Sequence, residues 1–137
     1  MFSKTRRALI TFLLACAALA SGEALAKVGL EYLSKAEQKQ VWTSTRNIAR
    51  IDAILSACNR KTNIDRRIVA AVSPCLKPNT IGALRSYWRK QKAKYAKELP
   101  QLDCNNDYMK KEINKAVRQF NQLVSEVRDN CRRCIFC

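Results

Sequence analysis

The sequence predicts a small all-α protein: an antiparallel four-helix bundle with one short helix, stapled by disulfides and preceded by a signal peptide. Glycine and proline number three each in 137 residues, too few for the many turns of a β-sandwich. Apolar residues recur at helical spacing along four successive segments. Seven cysteines are present, and the six that follow the N-terminal segment form the even set typical of a disulfide framework in a short exported chain.

Residues 1–26 have the three parts of a secretory signal peptide. A short basic region comes first and contains Lys4, Arg6 and Arg7. A thirteen-residue apolar run follows, shorter than the roughly 20 residues of a membrane-spanning helix. Ala24-Leu25-Ala26 is then a small-x-small cleavage site, which leaves residues 27–137 as a single domain.

The same segment leaves the export route open. Leu13-Leu14-Ala15-Cys16 resembles a bacterial lipobox, in which Cys16 would become a lipidated N-terminus. Thr5-Arg6-Arg7 has a faint similarity to a twin-arginine signal. Leu14 stands where a lipobox prefers a small residue, and the apolar run continues beyond Cys16, so cleavage after Ala26 is favoured. We therefore expect a periplasmic or secreted protein.

The first two predicted helices are separated by a polar break at residues 59–63. Ser34 and Glu37 have the spacing of a capping box, and the stripe of the helix that they open is Val41, Ile48, Ile51, Leu55 and Cys58. Thr62 or Asn63 caps a shorter helix of about 14 residues, whose apolar face contains Ile64, Ile68, Val72 and Cys75. Two prolines disfavour helical geometry in the residue before them and end this helix, Pro74 and Pro78.

The third predicted helix begins at Asn79 or Thr80 and stops at Leu99-Pro100; its stripe is Ile81, Leu84, Trp88, Tyr95 and Leu99. The fourth begins near Asn106 or Asp107 and has the cleanest stripe of the chain, Met109, Ile113, Ala116, Phe120, Leu123, Val127 and Cys131. Because the loops between consecutive helices are short, we expect them to pack as antiparallel neighbours.

This topology predicts the disulfide pairing. Cys58 ends the first helix and Cys104 precedes the fourth, so both lie at the same end of an up-down bundle. Cys75 lies toward the opposite end, where the fourth helix finishes among three cysteines, Cys131, Cys134 and Cys137. We predict Cys58–Cys104, and Cys75 with one of the three tail cysteines. The other two would pair locally or join a second chain in a homodimer.

The C-x-x-C spacing of Cys131 and Cys134 is also typical of redox motifs and of half a metal site. A redox pair normally opens a helix, where the helix dipole lowers the thiol pKa, whereas this pair trails one. A metal site would need a fourth ligand, for which Cys104 is the only obvious candidate. We therefore predict structural disulfides, with no metal and no other cofactor.

The net charge of +15 falls to +13 when the three basic residues and the one acid of residues 1–26 are removed. The densest basic run lies on the third predicted helix, where no acid precedes Glu98. We expect an exposed Tyr87 and six cations on this helix to bind an anionic partner: Arg85, Tyr87, Arg89, Lys90, Lys92, Lys94 and Lys97. Trp88 and Tyr95 are assigned to the apolar stripe instead. Smaller basic clusters include Arg60-Lys61, Arg66-Arg67 and Lys110-Lys111.

Export decides which partner this charge would meet. The predicted partner is an acidic protein, an anionic envelope polymer or a lipid surface, and nucleic acid is disfavoured because the protein leaves the cytoplasm. The chain has no histidine, which excludes imidazole-based catalysis, and it has no Gly-rich phosphate loop or nucleophile elbow. Asp52 borders an apolar stripe, and we expect it to form a core-edge salt bridge with an arginine.

We therefore predict a non-catalytic binding protein and assign no catalytic residue. Two alternatives remain at this point. A cationic, membrane-active toxin or antimicrobial would use the same charge on a lipid bilayer. A thiol–disulfide redox protein would use the cysteines of the tail, Cys131, Cys134 and Cys137.

Overall fold

The computed structural model describes residues 27–61, 63–99 and 102–136, without the side chains of Asn130 and of residues 132–136. These ranges contain four α-helices: α1 (Lys35–Ala57), α2 (Ile64–Val72), α3 (Pro78–Glu98) and α4 (Asp107–Phe136). A short 3-10 helix, Leu30–Tyr32, precedes them. The predicted all-helical class is confirmed, with one helix much shorter than the others. The predicted signal peptide and Cys16 lie outside the described residues, as do Thr62, Pro100, Cys137 and the Cys134 side chain.

Side-chain capping fixes the start of the two longest helices. The backbone N–H of Glu37 donates to Ser34 Oγ at 3.3 Å, and the N–H of Ser34 donates to Glu37 Oε2 at 2.8 Å. This reciprocal pair is the predicted capping box at the start of α1. At the start of α4, Asn106 Oδ1 accepts from the N–H of Tyr108 at 2.8 Å. Both pairs satisfy backbone donors that a helix N-terminus leaves without intrahelical partners.

The boundary between α2 and α3 differs from the prediction. The α2 helix ends at Val72, after nine residues, instead of continuing to Cys75. Pro78 does not end α2 but occupies the first turn of α3, at N1 or N2, with Lys77 as the N-cap residue. A proline there costs no hydrogen bond, because the N–H groups of the first turn have no intrahelical acceptor. The rule that proline ends helices therefore pointed to the wrong helix.

The polar break before α2 contains two residues with left-handed backbone geometry. Asn59 and Asn63 have positive φ angles of 55° and 50°, a conformation that asparagine adopts more readily than most residues. Asn63 occupies the N-cap position of α2, as predicted, but its side chain makes no capping hydrogen bond. The N–H groups of Asn59 and Arg60 donate to the carbonyls of Ser56 and Leu55 at 3.1 and 2.8 Å, which closes the end of α1.

The main packing pairs are α1 with α3 and α2 with α4, and α2 also touches α3. We expected consecutive helices to be the principal neighbours. With nine residues, α2 covers only part of the 23-residue α1, so α3 packs directly on α1 instead. Arg67 of α2 lies over the ring of Phe120 of α4, 5.1 Å from its centroid. This contact extends the α2–α4 pairing beyond the core.

The core consists of two clusters. One contains buried residues from the start of the domain, the end of α2, the α2–α3 connection and the end of α4: Leu33, Ala71, Cys75, Leu76, Val127 and Cys131. The other joins α1, α2 and α4 through Leu55, Ile64, Ile113 and Phe120. The predicted stripe of α4 thus contributes to both clusters. Among the described helices, none is long and apolar enough to cross a membrane.

Each core cluster contains at least one disulfide-bonded cysteine. Cys58 bonds to Cys104 with a Cα–Cα distance of 5.6 Å, and Cys75 bonds to Cys131 at 5.5 Å. The predicted pairing is confirmed, and Cys131 is the tail cysteine that Cys75 selects. The bridged residues are 46 and 56 positions apart. Closing a loop of that length lowers the conformational entropy of the unfolded chain, which stabilises the folded domain by about 4 kcal/mol per bridge. Such bridges are typical of oxidising compartments.

The segment before α1 is tied to the α2–α3 connection, which the sequence did not indicate. The N–H of Val28 donates to the carbonyl of Cys75 at 2.8 Å, and the N–H of Lys77 donates to the carbonyl of Val28 at 3.1 Å. Lys77 Nζ lies 2.7 Å from Glu31 Oε1, an ion pair that lowers the pKa of Glu31 and raises that of Lys77. Residues 27–33 therefore belong to the folded domain.

Candidate anion-binding site

Three of the predicted binding residues are engaged by carboxylates of other helices. Arg85 donates to both oxygens of Asp65 on α2, from Nε at 2.9 Å and from Nη2 at 2.6 Å. Arg89 Nη2 lies 3.9 Å from the same carboxylate. Lys92 Nζ lies 2.8 Å from Asp52 Oδ2 on α1. Arg85 and Lys92 are half-buried and link α3 to α2 and α1, whereas Arg89 is exposed and lies at the edge of the Asp65 carboxylate.

Asp65 and Asp52 are therefore counterions within the fold. The hydrogen bonds from Arg85 lower the pKa of Asp65, and the nearby charges of Arg89 and Lys92 add to this effect. Asp52 is only 5% exposed, so its carboxylate needs a close cation to offset the loss of hydration. The predicted core-edge salt bridge of Asp52 exists, but its partner is Lys92 and not an arginine.

Tyr87 lies on the opposite side of α3. It is half-buried, whereas we expected it to be exposed, because its ring packs edge-on against Trp42 of α1. The ring centroids are 5.0 Å apart and the planes are inclined by 72°, the T-shaped geometry that aromatic pairs favour. Trp88 and Tyr95 are also half-buried, in keeping with their place in the apolar stripe.

The remaining predicted cations point away from the core. Lys90 and Lys97 are exposed, and neither has a carboxylate within 4 Å among the residues described. Lys94 is exposed too and lies 3.8 Å from Glu98. The seven residues therefore do not form one face, since successive residues rotate by about 100° around a helix. They divide between an interior flank of α3, formed by Arg85, Arg89 and Lys92, and an exterior flank, formed by Tyr87, Lys90, Lys94 and Lys97.

Tyr87 of the exterior flank and one face of α1 line an open groove between the two helices, with a volume of about 490 Å³. We call it the Trp42 groove. Its lining contains three cations and no carboxylate: Lys35, Gln38, Lys39, Trp42, Thr43, Arg46 and Tyr87. Lys35, Lys39 and Arg46 are exposed, and no carboxylate lies within 4 Å of them in the described part of the chain. The groove therefore combines uncompensated positive charge with two aromatic rings.

Two neighbouring features shape the Trp42 groove. Gln38 Nε2 donates to the carbonyl of Leu33 at 3.0 Å, which fixes the end of the groove against the segment before α1. Lys90 and Lys94 follow Tyr87 by three and seven residues, so they extend the same flank of α3 beyond the groove. Lys90 and Lys94 therefore continue the positive charge along α3.

Sequence reasoning missed the three α1 cations. Lys35, Lys39, Trp42 and Arg46 are spaced by four, three and four residues, which places them on one face of a helix. This spacing is present in the sequence, but basic residues are denser on the third helix and gave the stronger signal. The contribution of α1 becomes evident only when α3 packs beside it and Tyr87 meets Trp42.

The tail cysteines are placed only in part. Cys131 is fully buried and bonded to Cys75, so it does not pair with Cys134 in this structure. The side chains of Cys134 and Cys137 lie outside the described residues. Within the described ranges, no group of three His, Cys, Asp or Glu side chains is arranged to hold a metal ion.

No family model, curated protein or solved structure matches this chain. The Trp42 groove offers ammonium and guanidinium donors beside aromatic faces. Such a lining can hold carboxylate, phosphate or sulfate groups through charge-assisted hydrogen bonds, which are about twice as strong as neutral ones.

Proposed function

We propose that the domain of residues 27–137 is an exported, non-catalytic binding module that captures an acidic protein or an anionic envelope polymer through the Trp42 groove. The observation that carries the proposal is the lining of this groove, where three cations have no carboxylate within 4 Å among the residues that the structure describes. Elsewhere on α3 the cations Arg85 and Lys92 are occupied by Asp65 and Asp52. The fold therefore leaves the α1 cations available for a charge on another molecule.

The aromatic pair supports a polymeric or protein ligand over a free ion. Trp42 and Tyr87 give the groove a rigid floor, and aromatic side chains bury a large area at little cost in conformational entropy. Lys90 and Lys94 continue the positive charge along α3, as an extended anionic chain would require. A compact ion would use only one or two of these cations.

A membrane-lytic function receives less support. Lysis requires a broad apolar surface that enters the bilayer. Among the described residues, the large hydrophobic side chains that are strongly exposed are Tyr32 at 62% and Tyr108 at 70%. Lys77 lies over the ring of Tyr32, 4.7 Å from its centroid. Two separate tyrosines do not make an apolar face, so binding to an anionic surface without lysis is favoured.

The proposal is tested with fluorescein-labelled poly-glutamate and with polyphosphate, by fluorescence anisotropy on the oxidised domain. The groove variant combines Lys35→Glu, Lys39→Glu and Arg46→Glu. A matched control places the same three charge reversals on an exposed face of α4, at Lys111, Lys115 and Arg118. Both variants change the net charge by the same amount, so general electrostatic attraction changes equally in the two proteins.

We expect the groove variant to bind at least about tenfold more weakly and the control to change by less than about threefold, because close charge pairs outweigh distant, screened ones. Equal losses in the two variants would contradict a localised site. Circular dichroism before titration confirms that both variants keep their helices.

A further inference from the structure

A second cavity, of about 500 Å³, opens at the end of the domain that carries the Cys58–Cys104 bridge. We call it the Trp88 cleft. Its walls come from the end of α1, the following loop, the start of α2 and the middle of α3. The charged side chains in its lining are Asp52, Arg60, Lys61, Asp65, Arg66 and Lys92. Four cations thus accompany two carboxylates.

The two carboxylates already have partners. Asp52 is paired with Lys92 at 2.8 Å, and Asp65 is held by Arg85 with Arg89 nearby. Arg85 lowers the pKa of Asp65 through its hydrogen bonds, so this carboxylate stays ionised and keeps its cation at neutral pH. The charge of the two acids is therefore balanced within the fold.

The other cations of the cleft are not balanced. Arg60, Lys61 and Arg66 are exposed, and in the described ranges no carboxylate lies within 4 Å of any of them. All three line the cleft beside Asn59 and Asn63, the two residues with positive φ angles. The cleft therefore brings together three positive charges that no carboxylate of the described residues balances.

A smaller, apolar chamber of about 70 Å³ adjoins the Trp88 cleft between α1, α2 and α3. Its lining is mostly aliphatic and includes Ile48, Ile68, Val72, Ile81 and Leu84. Ile64, Asp65 and Trp88 line both the chamber and the cleft, so these side chains form the wall between them. A cationic space and an apolar space thus meet at one wall.

Trp88 is the aromatic side chain of this wall. Its indole N–H is buried and has no acceptor within the described part of the chain. Lys92 lies over the same ring, 5.4 Å from its centroid, and links the indole to the charged side of the cleft.

We propose that the Trp88 cleft binds a small anionic amphiphile, a phosphate or carboxylate head joined to a short aliphatic group. The head lies among Arg60, Lys61 and Arg66, and the aliphatic group enters the chamber beside Trp88. A cavity of 150 Å³ accepts benzene, so a chamber of 70 Å³ holds about three carbon atoms. This site is separate from the Trp42 groove and binds a small molecule instead of a polymer.

The two tryptophans of the chain allow each site to be observed alone. Trp42→Phe leaves Trp88 as the only indole, and its emission is followed during titration with butyl phosphate, inorganic phosphate, pentanoate and butanol. Each buried methylene raises affinity roughly fourfold. We expect butyl phosphate to change the Trp88 emission and to bind at least about tenfold more tightly than inorganic phosphate. Comparison with pentanoate shows which of the two heads the site prefers.

Variants separate the contributions of head and chain. Replacing Arg60, Lys61 and Arg66 by glutamine should weaken butyl phosphate at least about tenfold, while the same change at Lys111, Lys115 and Arg118 should have little effect. Val69→Leu adds one methylene to the wall of the chamber and should reduce the advantage of butyl phosphate over inorganic phosphate by about fourfold, without weakening the latter. A third check is hexyl phosphate, which should gain less than about fourfold over butyl phosphate once the chamber is full.

The proposal is overturned if butyl phosphate leaves the Trp88 emission unchanged, if it binds no more tightly than inorganic phosphate, or if butanol binds equally well. These outcomes are independent of the Trp42 groove, because the Trp88→Phe protein reports poly-glutamate binding through Trp42 alone.

Discussion

Asp65 on α2 and Arg85 on α3 form a two-pronged ion pair, with both carboxylate oxygens accepting from one guanidinium at 2.9 and 2.6 Å. The pair has two consequences. It fastens the short α2 helix to α3, and it removes Arg85 from the cations that a partner could use. Arg89, 3.9 Å from the same carboxylate, is partly engaged as well.

Replacing Asp65 by asparagine removes the ion pair and tests both consequences. We expect Asp65→Asn to lower the free energy of unfolding by about 1 kcal/mol, because the pair is partly exposed and screened by solvent. The same change frees Arg85 and Arg89 on the side of α3 opposite Tyr87, so it should change the binding of poly-glutamate by less than about threefold. Urea unfolding and anisotropy measure the two effects. Asp129→Asn, at a more exposed ion pair, is the control and should change stability by much less.

The Asp65–Arg85 pair also predicts how stability depends on pH. The pair holds the pKa of Asp65 in the folded protein below its ordinary value of 3.8. Its stabilising effect is therefore complete above pH 3.8 and is lost as the pH falls through the lower, folded value. Wild-type stability should fall more steeply than that of Asp65→Asn below this pH. Parallel curves from urea unfolding at several pH values would show that the pair contributes nothing.

The disulfides should dominate the stability of the domain. Removing the Cys75–Cys131 bridge by changing both residues to alanine should cost about 4 kcal/mol, because a loop of this length is no longer closed in the unfolded chain. Thermal unfolding measures the loss.

Peptide mapping without reduction should recover Cys58 bonded to Cys104, and a bond from Cys58 to any tail cysteine would contradict the described topology.

The capping box at the start of α1 gives a further test of local structure. Ser34→Ala removes the acceptor for the N–H of Glu37 and should cost about 1 kcal/mol in the free energy of unfolding. Ser86→Ala, at an exposed position within α3, should be neutral or slightly stabilising because alanine has the higher helix propensity. Urea unfolding measures the free energy of unfolding of both variants. A neutral result for Ser34→Ala would contradict a stabilising role of the cap.

Local signals in the sequence were sufficient for much of the fold. Ser34 with Glu37, and Asn106 before α4, act within a few residues, so the start of both helices could be predicted. The cysteine pairing followed from helix order, because Cys58 and Cys104 are brought together by any chain that passes down and back between them. Pro78 was misassigned because proline ends one helix and begins another with equal ease.

The site was harder to predict, because its residues interact across helices. The third helix contains no acid before Glu98, so its cations appeared free, yet Asp65 and Asp52 reach them from α2 and α1. Likewise, Lys35 and Arg46 gain significance only beside Tyr87 of α3. Residues 27–33 contain no helix signal, and their order depends on backbone hydrogen bonds to a distant segment.

The most direct test of the central proposal is the emission of Trp42 in the Trp88→Phe protein during titration with poly-glutamate. If the Trp42 groove binds the polymer, the emission changes and saturates with the same midpoint as the anisotropy. Both signals should then weaken together when Lys35, Lys39 and Arg46 are reversed to glutamate. Saturating anisotropy with unchanged Trp42 emission would place the polymer elsewhere on the protein and contradict the proposed function.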